Sequence, residues 1–178
     1  MHTFILWETK IYKFDLIELI QSSIINYYIK KEYGNMSQNF DVEMTNMIMI
    51  ENGDGKVLVQ RRVKYWTGIA FPGGHIEKGE SITASVIREA KEETGLTVKN
   101  PKLCGIIHWD NRNKHEKYMV FAYKVTEFEG NLTDETDEGS VFWVSKDELY
   151  DMELCPNFDR YLKVFYEGNG EEFFDTYE

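Results

Sequence analysis

The sequence predicts an α/β fold in which a mixed β-sheet lies between helices. Three observations favour this fold: two strand patterns flank a hairpin turn, an amphipathic helix follows them, and further strand patterns precede a last helix. The chain of 178 residues is long enough for one domain with a full core. We therefore expect one α/β domain, preceded by a segment of different character at the N-terminus.

Residues 1–35 are predicted to form an appended amphipathic helical extension, which leaves residues 36–178 for the main domain. Basic and acidic side chains balance in this segment, so the whole net charge of −11 belongs to the remainder of the chain. Its longest uncharged run, residues 19–29, is shorter than the roughly 20 apolar residues that cross a bilayer. We expect the extension to pack on the domain or on a partner, for instance in a homodimer, unless Met36 is a natural start.

The first strands of the main domain are predicted at residues 42–50 and 56–61, around a turn at residues 52–55. The turn contains Asn-Gly and Asp-Gly pairs, which are strong hairpin signals because these residue types tolerate the positive φ of tight turns. Arg62 follows the second strand and precedes the loop that leads to Phe71. On residue type alone, Arg62 is an ordinary polar strand end.

The most sharply defined element is a helix over residues 82–94. Ser81 is a favourable N-cap, the interior contains no glycine or proline, and Gly95 supplies the C-terminal stop. At about 100° per residue, one side of this helix carries three carboxylates, those of Glu89, Glu92 and Glu93. The adjoining apolar stripe, which should lie on the sheet, consists of Ile82, Val86, Ile87 and Ala90.

The three carboxylates repel one another, and Arg88, four residues before Glu92, relieves only part of that repulsion. A solvated acidic face would be the ordinary interpretation of such a pattern. Here, however, Gly73 and Gly74 precede the helix and allow the backbone to approach closely, so that a carbonyl can join the carboxylates as a ligand. Oxygen-only ligands select a hard divalent cation. The pattern therefore predicts a site for Mg²⁺, with Mn²⁺ as the alternative.

The rest of the chain continues to alternate between strands and helices. Strands are predicted at residues 102–109, 117–126 and 141–144, helices from Ser145 and over residues 157–166, and a short strand within the tail 171–178. Ser145 and Glu148 have the spacing of a capping box. Cys104 and Cys155 lack metal-ligand spacing and are expected to be buried, reduced thiols.

The net charge of −11 argues against a role in coating nucleic acid, which requires a basic surface. It is compatible with an acidic metal site whose substrate arrives as a complex of metal and polyphosphate. No basic region followed by an apolar run and a small-residue cleavage site begins the sequence, so a signal peptide is not expected. We expect a cytoplasmic protein without a membrane span and without a nucleic-acid polymer as partner.

Residues 74–96 resemble the Nudix box, G-x5-E-x7-R-E-U-x-E-E-x-G-U, in which U is an aliphatic residue. All nine constrained positions are filled, and Ala90 is the one soft match because it is small. So many constrained positions at fixed spacing are far more specific than a lone glycine motif. The resemblance implies the Nudix α/β/α sandwich with a mixed sheet, and hydrolysis of a nucleoside diphosphate linked to another group.

The same resemblance assigns roles to individual residues. The metal ligands that it implies are the Gly73 carbonyl, Glu89, Glu92, Glu93 and a carboxylate of the acidic loop before residues 141–144, either Glu138 or, second, Glu135. Glu89 is the first candidate for the general base that activates water, and Glu92 is the second. Arg88 is expected to orient these glutamates.

The chain is also similar to MutT-type 8-oxo-dGTP diphosphatases, which implies an oxidised purine nucleoside triphosphate as substrate. The substrate-binding residues that this similarity implies are Arg62, Phe71, Gly74 and, for the purine edge, Asn157 or then Asp159. A nucleotide sugar of the ADP-ribose type is the alternative, although Pro101 is too close to the box to match that subfamily's proline. A nucleotide-sensing regulator should have lost box carboxylates, and a pure interaction protein would not need them.

Overall fold

The predicted strands and helices of the described chain occur in the predicted order, and the structure adds four short strands, over residues 68–70, 97–99, 127–129 and 135–136. The structure is a computed structural model that describes residues 41–111, 113–133 and 135–177, so the predicted extension over residues 1–35 lies outside the described residues. The strands are β1 (Asp41–Ile50), β2 (Val57–Arg62), β3 (Gly68–Ala70), β4 (Thr97–Lys99), β5 (Lys102–Asn111), β6 (Glu116–Val125), β7 (Glu127–Glu129), β8 (Glu135–Thr136), β9 (Gly139–Val144) and β10 (Glu171–Tyr177). The helices are α1 (Ile82–Thr94), α2 (Lys146–Leu149) and α3 (Phe158–Glu167).

Helix α1 begins and ends where its capping residues place it. The Ser81 hydroxyl accepts a hydrogen bond from the Ala84 N–H, which satisfies one of the free donors of the first turn. Gly95 lies in the left-handed region with φ 77° and donates its N–H to the Lys91 carbonyl. Both predicted caps are confirmed, as is the capping box between Ser145 and Glu148 at the start of α2.

The strands form two four-stranded sheets and a two-stranded ribbon. The mixed sheet has the order β1-β6-β5-β10, with β1 parallel to β6, β6 antiparallel to β5, and β5 parallel to β10. The second sheet, β3-β2-β9-β8, is antiparallel, and β4 pairs with β7. The predicted mixed sheet is confirmed, whereas the strand pattern did not reveal that β2 and β9 belong to a sheet of their own.

The division into two sheets results from the chain that follows β3. The turn at residues 52–55 joins β1 to β2 as predicted, but the two strands then separate. The Asn46 N–H donates to the Gly74 carbonyl and the Ile48 N–H donates to the Pro72 carbonyl, both at 2.8 Å. The residues that open the box therefore occupy the edge of β1 that β2 would otherwise use.

Helices cover both faces of the mixed sheet, which confirms the α/β/α sandwich. On one face, Val86 and Ala90 of α1 pack with Ile48 and Ile50 of β1. On the other face the α3 side chains Phe158, Tyr161, Leu162 and Phe165 pack with Met49, Ile107 and Val120. The prediction for Ile87 was wrong, because this side chain lies at the margin of the apolar stripe and is exposed.

The remaining sequence predictions concern the tail, the cysteines and the membrane. The predicted tail strand is β10, which adds to the edge of the mixed sheet beside β5. Cys104 and Cys155 are buried free thiols, as expected. Among the helices of the described residues, none is long and apolar enough to cross a membrane.

Candidate active site

Helix α1 directs two of its three candidate carboxylates inward and one outward. Glu93 follows Val86 and Ala90 at spacings of four and three residues, so it continues the buried face of the helix, and only 7% of its surface is exposed. Glu89 is largely buried, whereas Glu92 projects into solvent. The helix therefore presents Glu89 and Glu93 to the interior of the site and leaves Glu92 at its rim.

The backbone of Gly73 faces Glu93. The Gly73 N–H donates to Oε2 of Glu93 at 2.7 Å, while the carbonyls of its neighbours Pro72 and Gly74 point to β1. The Gly73 backbone is therefore within hydrogen-bond distance of Glu93, and its carbonyl stays a predicted ligand. A side chain at Gly73 is excluded, because its Cβ would lie 2.3 Å from the Asn46 carbonyl oxygen and φ is 150°.

Gly74 leaves room for Glu89. A Cβ at this position would lie 2.5 to 2.7 Å from the three carboxylate atoms of Glu89. Real Cβ atoms do not approach other atoms so closely, so any side chain at Gly74 would displace that carboxylate. A glycine at position 74 is thus required by the position of Glu89 rather than by its own backbone conformation.

Arg88 connects the box carboxylates. Its guanidinium donates to Glu80 and to Glu89 at 2.7 Å each, and to Glu92 at 3.1 Å. It also donates to the His75 carbonyl at 2.9 Å, which ties the loop after the glycines to α1. These hydrogen bonds, chiefly the one to Glu80, raise the pKa of Arg88 further above its ordinary value. The predicted orienting role of Arg88 thus has a geometric basis.

The electrostatics of the site are those of buried like charges. Burial raises the pKa of Glu93 to about 7, the Gly73 N–H opposes this effect, and the charges of Glu89 and Glu138 add to it. Burial likewise raises the pKa of Glu89, against the effect of Arg88, and the charge of Glu138 contributes again. Glu138 therefore acts on both inward-facing glutamates, whereas Glu135 is exposed in β8.

The chemistry of these donors fits a hard divalent cation. Glu89, Glu93 and Glu138 offer only oxygen, and their mutual repulsion would be relieved by a positive ion. Within residues 41–111, 113–133 and 135–177, no three acidic, histidine or cysteine side chains already converge as metal ligands. Arg88 pairs with Oε1 of Glu89 and Oε2 of Glu92, so that the second oxygen of each carboxylate is not used by this arginine.

The residues predicted to bind substrate are only partly brought together. The positive charge of Arg62 opposes the raised pKa values of Glu93, Tyr118 and Tyr161, so Arg62 belongs to the surroundings of the buried carboxylate. A cavity of about 270 Å³ adjoins Tyr118. Phe71, by contrast, is fully buried and packs its ring against Phe158 with centroids 5.0 Å apart, so its side chain is part of the core.

Asn157 and Asp159 lie at the start of α3. Asn157 has φ 64°, in the left-handed region, and its exposed side chain makes no capping hydrogen bond to the helix. Its amide is thus presented to solvent two residues after Cys155, whose environment also includes the charge of Arg62. Asp159 is exposed in the first turn, and its charge contributes to the raised pKa of Tyr161.

Comparison with known proteins shows the family of this chain. The family model described as NUDIX domain matches residues 44–165. The chain belongs to the Nudix family. The Nudix hydrolase YvcI of Bacillus subtilis is 30% identical over 130 residues, which cover 71% of this chain and 80% of YvcI. This protein is accordingly a Nudix hydrolase, a class that acts on phosphoric anhydrides.

Two further similarities bear on the substrate of this Nudix hydrolase. The ADP-ribose pyrophosphatase of Methanocaldococcus jannaschii is 34% identical over 97 residues, which cover 53% of this chain and 57% of that protein. The crystal structure of a mutator MutT protein from Bacillus halodurans has a TM-score of 0.62 and 30% identity, covering 75% of this chain and 88% of the other. Of these two, only the protein from Methanocaldococcus jannaschii has a substrate in its name.

The sequence did not single out three residues of this Nudix hydrolase that have unusual surroundings in the structure: Gln60, Tyr118 and Tyr161. Gln60 of β2 is fully buried, and neither of its amide atoms has a hydrogen-bond partner among the described residues. In the sequence, the one sign of an unusual role for Gln60 is that it is a polar residue directly after the apolar residues of β2. The sequence around Tyr118 and Tyr161 does not indicate a role in the site. Strand pairing and the packing of α3 bring these two tyrosines within the electrostatic influence of Arg62.

Proposed function

We propose that this Nudix hydrolase is a divalent-metal-dependent enzyme that cleaves an oxidised purine nucleoside triphosphate, such as 8-oxo-dGTP, into the monophosphate and pyrophosphate. The observation that carries the proposal is the group of Glu89, Glu93 and Glu138, whose charges act on one another beside the Gly73 backbone. Mg²⁺ is the proposed ion and Mn²⁺ the alternative. A cytoplasmic location agrees with this role, and a homodimer through residues 1–35 remains a prediction.

The proposed metal ligands are the Gly73 carbonyl, Glu93, Glu89 and Glu138, with Glu92 beside them at the rim. When bound, the cation would neutralise the negative charge that develops on the phosphoryl oxygens while water attacks phosphorus. Glu89 is the proposed general base, because it is directed into the site and the Arg88 guanidinium orients its carboxylate through a hydrogen bond at 2.7 Å. Glu92 is the second choice, since it is exposed.

The purine edge is assigned to Asn157. An amide offers both a donor and an acceptor, and oxidation at position 8 of guanine adds an N7–H donor and a carbonyl acceptor. The side chain of Asn157 is exposed and not used as a helix cap, so it is available for such a pair of hydrogen bonds. Arg62 is assigned to the phosphates, and Asp159 is the alternative reader of the base.

A substrate panel with Mg²⁺ tests the reaction. We expect 8-oxo-dGTP to be hydrolysed with a higher kcat/KM than dGTP, and pyrophosphate rather than phosphate to be released. Chelation of the metal should abolish turnover. Equal kcat/KM values for the two nucleotides would contradict the assignment of an oxidised purine and make ADP-ribose the leading substrate.

The role of Asn157 is tested by Asn157→Gly, since glycine keeps the left-handed backbone whereas alanine would strain it. We expect the preference for 8-oxo-dGTP over dGTP to fall by roughly tenfold or more, because the oxidised edge loses its hydrogen-bond partner. The kcat/KM for dGTP should change little. A preference that survives in Asn157→Gly would transfer the assignment to Asp159, and Asp159→Asn then provides the matched comparison.

The second candidate function is hydrolysis of ADP-ribose or a related nucleotide sugar. It is favoured by the 34% identity to the pyrophosphatase of Methanocaldococcus jannaschii. A nucleotide-sensing role without catalysis is disfavoured, because Glu89, Glu92 and Glu93 are all present. Release of AMP from ADP-ribose at a higher kcat/KM than that of any triphosphate in the panel would decide for the nucleotide sugar.

A further inference from the structure

The loop at residues 63–67, between β2 and β3, exposes two adjacent aromatic side chains. Tyr65 is 85% exposed and Trp66 is 59% exposed. Trp66 also has φ 56°, a left-handed conformation that large side chains rarely adopt and that has an energetic cost. The protein therefore holds a tryptophan outward in a strained conformation, where the ring contributes little to the core.

The base of this loop is fixed to the segment that precedes α3. The Cys155 thiol donates to the Trp66 carbonyl at 2.8 Å. Directly after the loop, the Ile69 N–H donates to the Glu153 carbonyl and the Cys155 N–H donates to the Ile69 carbonyl. The Trp66 backbone is thus anchored from a neighbouring segment, while its side chain projects into solvent.

The anchored loop adjoins the candidate active site. Within the loop, the Val63 N–H donates to the carbonyl of Glu138, a proposed metal ligand, at 3.2 Å, while Cys155 holds the Trp66 carbonyl. Cys155 is in turn two residues before Asn157, the proposed reader of the purine edge. The loop that carries the aromatic pair thus contacts both the backbone of Glu138 and the segment that leads to Asn157.

We propose that the loop at residues 63–67 is a stacking platform for the nucleobase of the substrate, with Trp66 as its main surface and Tyr65 beside it. This inference rests on the proposed function, because it requires that the ligand of this protein is a nucleotide. An aromatic ring stacks on the face of any base, so the platform adds affinity for nucleotides as a class. The choice between different bases would depend on hydrogen bonds, such as those proposed for Asn157. Stacking also explains why an exposed ring is held by a strained backbone.

The test compares binding of a nucleotide analogue with and without its base. The non-hydrolysable α,β-methylene analogue of dGTP and the corresponding abasic deoxyribose triphosphate are titrated calorimetrically, with Ca²⁺ as metal, into the full chain and its variants. Trp66→Asn removes the ring, and asparagine is one of the few residues that accept the left-handed conformation. Trp66→Phe keeps an aromatic ring. Tyr150→Ala is the control, because Tyr150 is also exposed (55%). It follows α2, near the Val57 end of β2, whereas Arg62 is at the other end of that strand.

We expect Trp66→Asn to weaken binding of the base-bearing analogue by about 5- to 150-fold, and to leave binding of the abasic compound unchanged. Trp66→Phe should retain most of the affinity, and Tyr150→Ala all of it. The melting temperature of Trp66→Asn should equal or exceed that of the parent protein, because strain is removed. Tyr65→Ala should have the same pattern as Trp66→Asn, but to a smaller extent.

The inference is overturned if the parent protein binds both compounds equally or binds neither. It is also overturned if Trp66→Asn weakens both to the same degree, since a structural role for Trp66 would produce that result. Because binding is measured without turnover, the comparison holds whatever the hydrolysis panel yields. Failure to cleave any substrate in the panel would contradict the proposed function alone.

Discussion

At the scale of single residues, Glu93 is subject to two opposing requirements. Burial favours its neutral form, whereas a role as metal ligand requires the carboxylate. Glu93→Gln keeps an oxygen that can accept from the Gly73 N–H but removes the charge. We expect kcat with saturating Mg²⁺ to fall on the order of a hundredfold or more, and the metal-free variant to melt at a higher temperature than the parent protein at pH 8.

Steady-state kinetics and thermal denaturation in a chelator measure the two effects of Glu93→Gln. Glu167→Gln, at an exposed position in the last turn of α3, is the matched control and should change neither quantity. Turnover close to that of the parent protein would remove Glu93 from the set of ligands. If metal-free Glu93→Gln melts at a lower temperature than the metal-free parent protein, the buried charge of Glu93 is compensated in the parent protein even without a cation.

Gln60 is the second residue with a defined energetic consequence. Its amide is fully buried in β2 without a hydrogen-bond partner among the described residues, a state that costs about 1–3 kcal/mol. Gln60→Met retains the length and most of the volume while removing both polar atoms. We expect the free energy of unfolding of the metal-free protein to rise by about 1 kcal/mol, as measured by urea denaturation. A less stable Gln60→Met protein would mean that the amide is paired in solution.

At the scale of elements, the loop at residues 72–76 and helix α1 must fit each other. The clearest test is Gly74→Ala, since the added Cβ would collide with the Glu89 carboxylate but with no other part of α1 among its nearest neighbours. The side chain of Glu89 can move away, so the fold should survive. We expect kcat to fall by about a hundredfold, because a displacement of about 1 Å at a reacting group has that effect.

Gly53→Ala is the control for Gly74→Ala, because a Cβ at Gly53 would meet nothing within 4 Å. Circular dichroism and melting temperature verify the fold of both variants, and kcat with saturating Mg²⁺ is the readout. Full activity of a folded Gly74→Ala protein would show that the position of Glu89 is not critical for the reaction.

Elements with local determinants could be predicted from sequence, and those with distant determinants could not. Ser81 and Gly95 define the ends of α1 through bonds to residues at most four positions away, so the local pattern was sufficient. The separation of β1 from β2 depends instead on hydrogen bonds from Asn46 and Ile48 to residues more than twenty positions later. The same limit applies to the site: the box identified Glu89 and Glu93, whereas packing alone buries Phe71 in the core.

At the scale of the whole molecule, the acidic site makes stability depend on pH and on metal. The pKa of Glu93 is about 7 in the folded protein, and its ordinary value is 4.5. Between these two pH values the folded state therefore binds more protons than the unfolded state. The contribution of Glu93 to the free energy of unfolding is therefore full below about pH 4.5 and is lost as pH rises through 7. Burial changes the pKa of Glu89 in the same direction.

We expect the melting temperature of the metal-free protein to decrease from pH 5 to pH 8, through the titration of Glu93 and Glu89. Because a cation requires ionised carboxylates, Mg²⁺ at millimolar concentration should raise the melting temperature more at pH 8 than at pH 5.5. In Glu93→Gln, most of the pH dependence between 5 and 8 should disappear. A melting curve that does not respond to Mg²⁺ at either pH would contradict a metal site in this protein.

The pairing of the mixed sheet has a consequence for the order of events during synthesis. Strand β1 pairs in parallel with β6, and β5 pairs in parallel with β10. As the ribosome adds residues in order, β1 and α1 emerge well before β6, the strand that completes the surface under that helix. The face that carries Glu89 and Glu93 is therefore exposed on the nascent chain until residues 116–125 have been made. The outer edge of β5 stays open for longer still, until residues 171–177 follow, and an open strand edge is a site of aggregation.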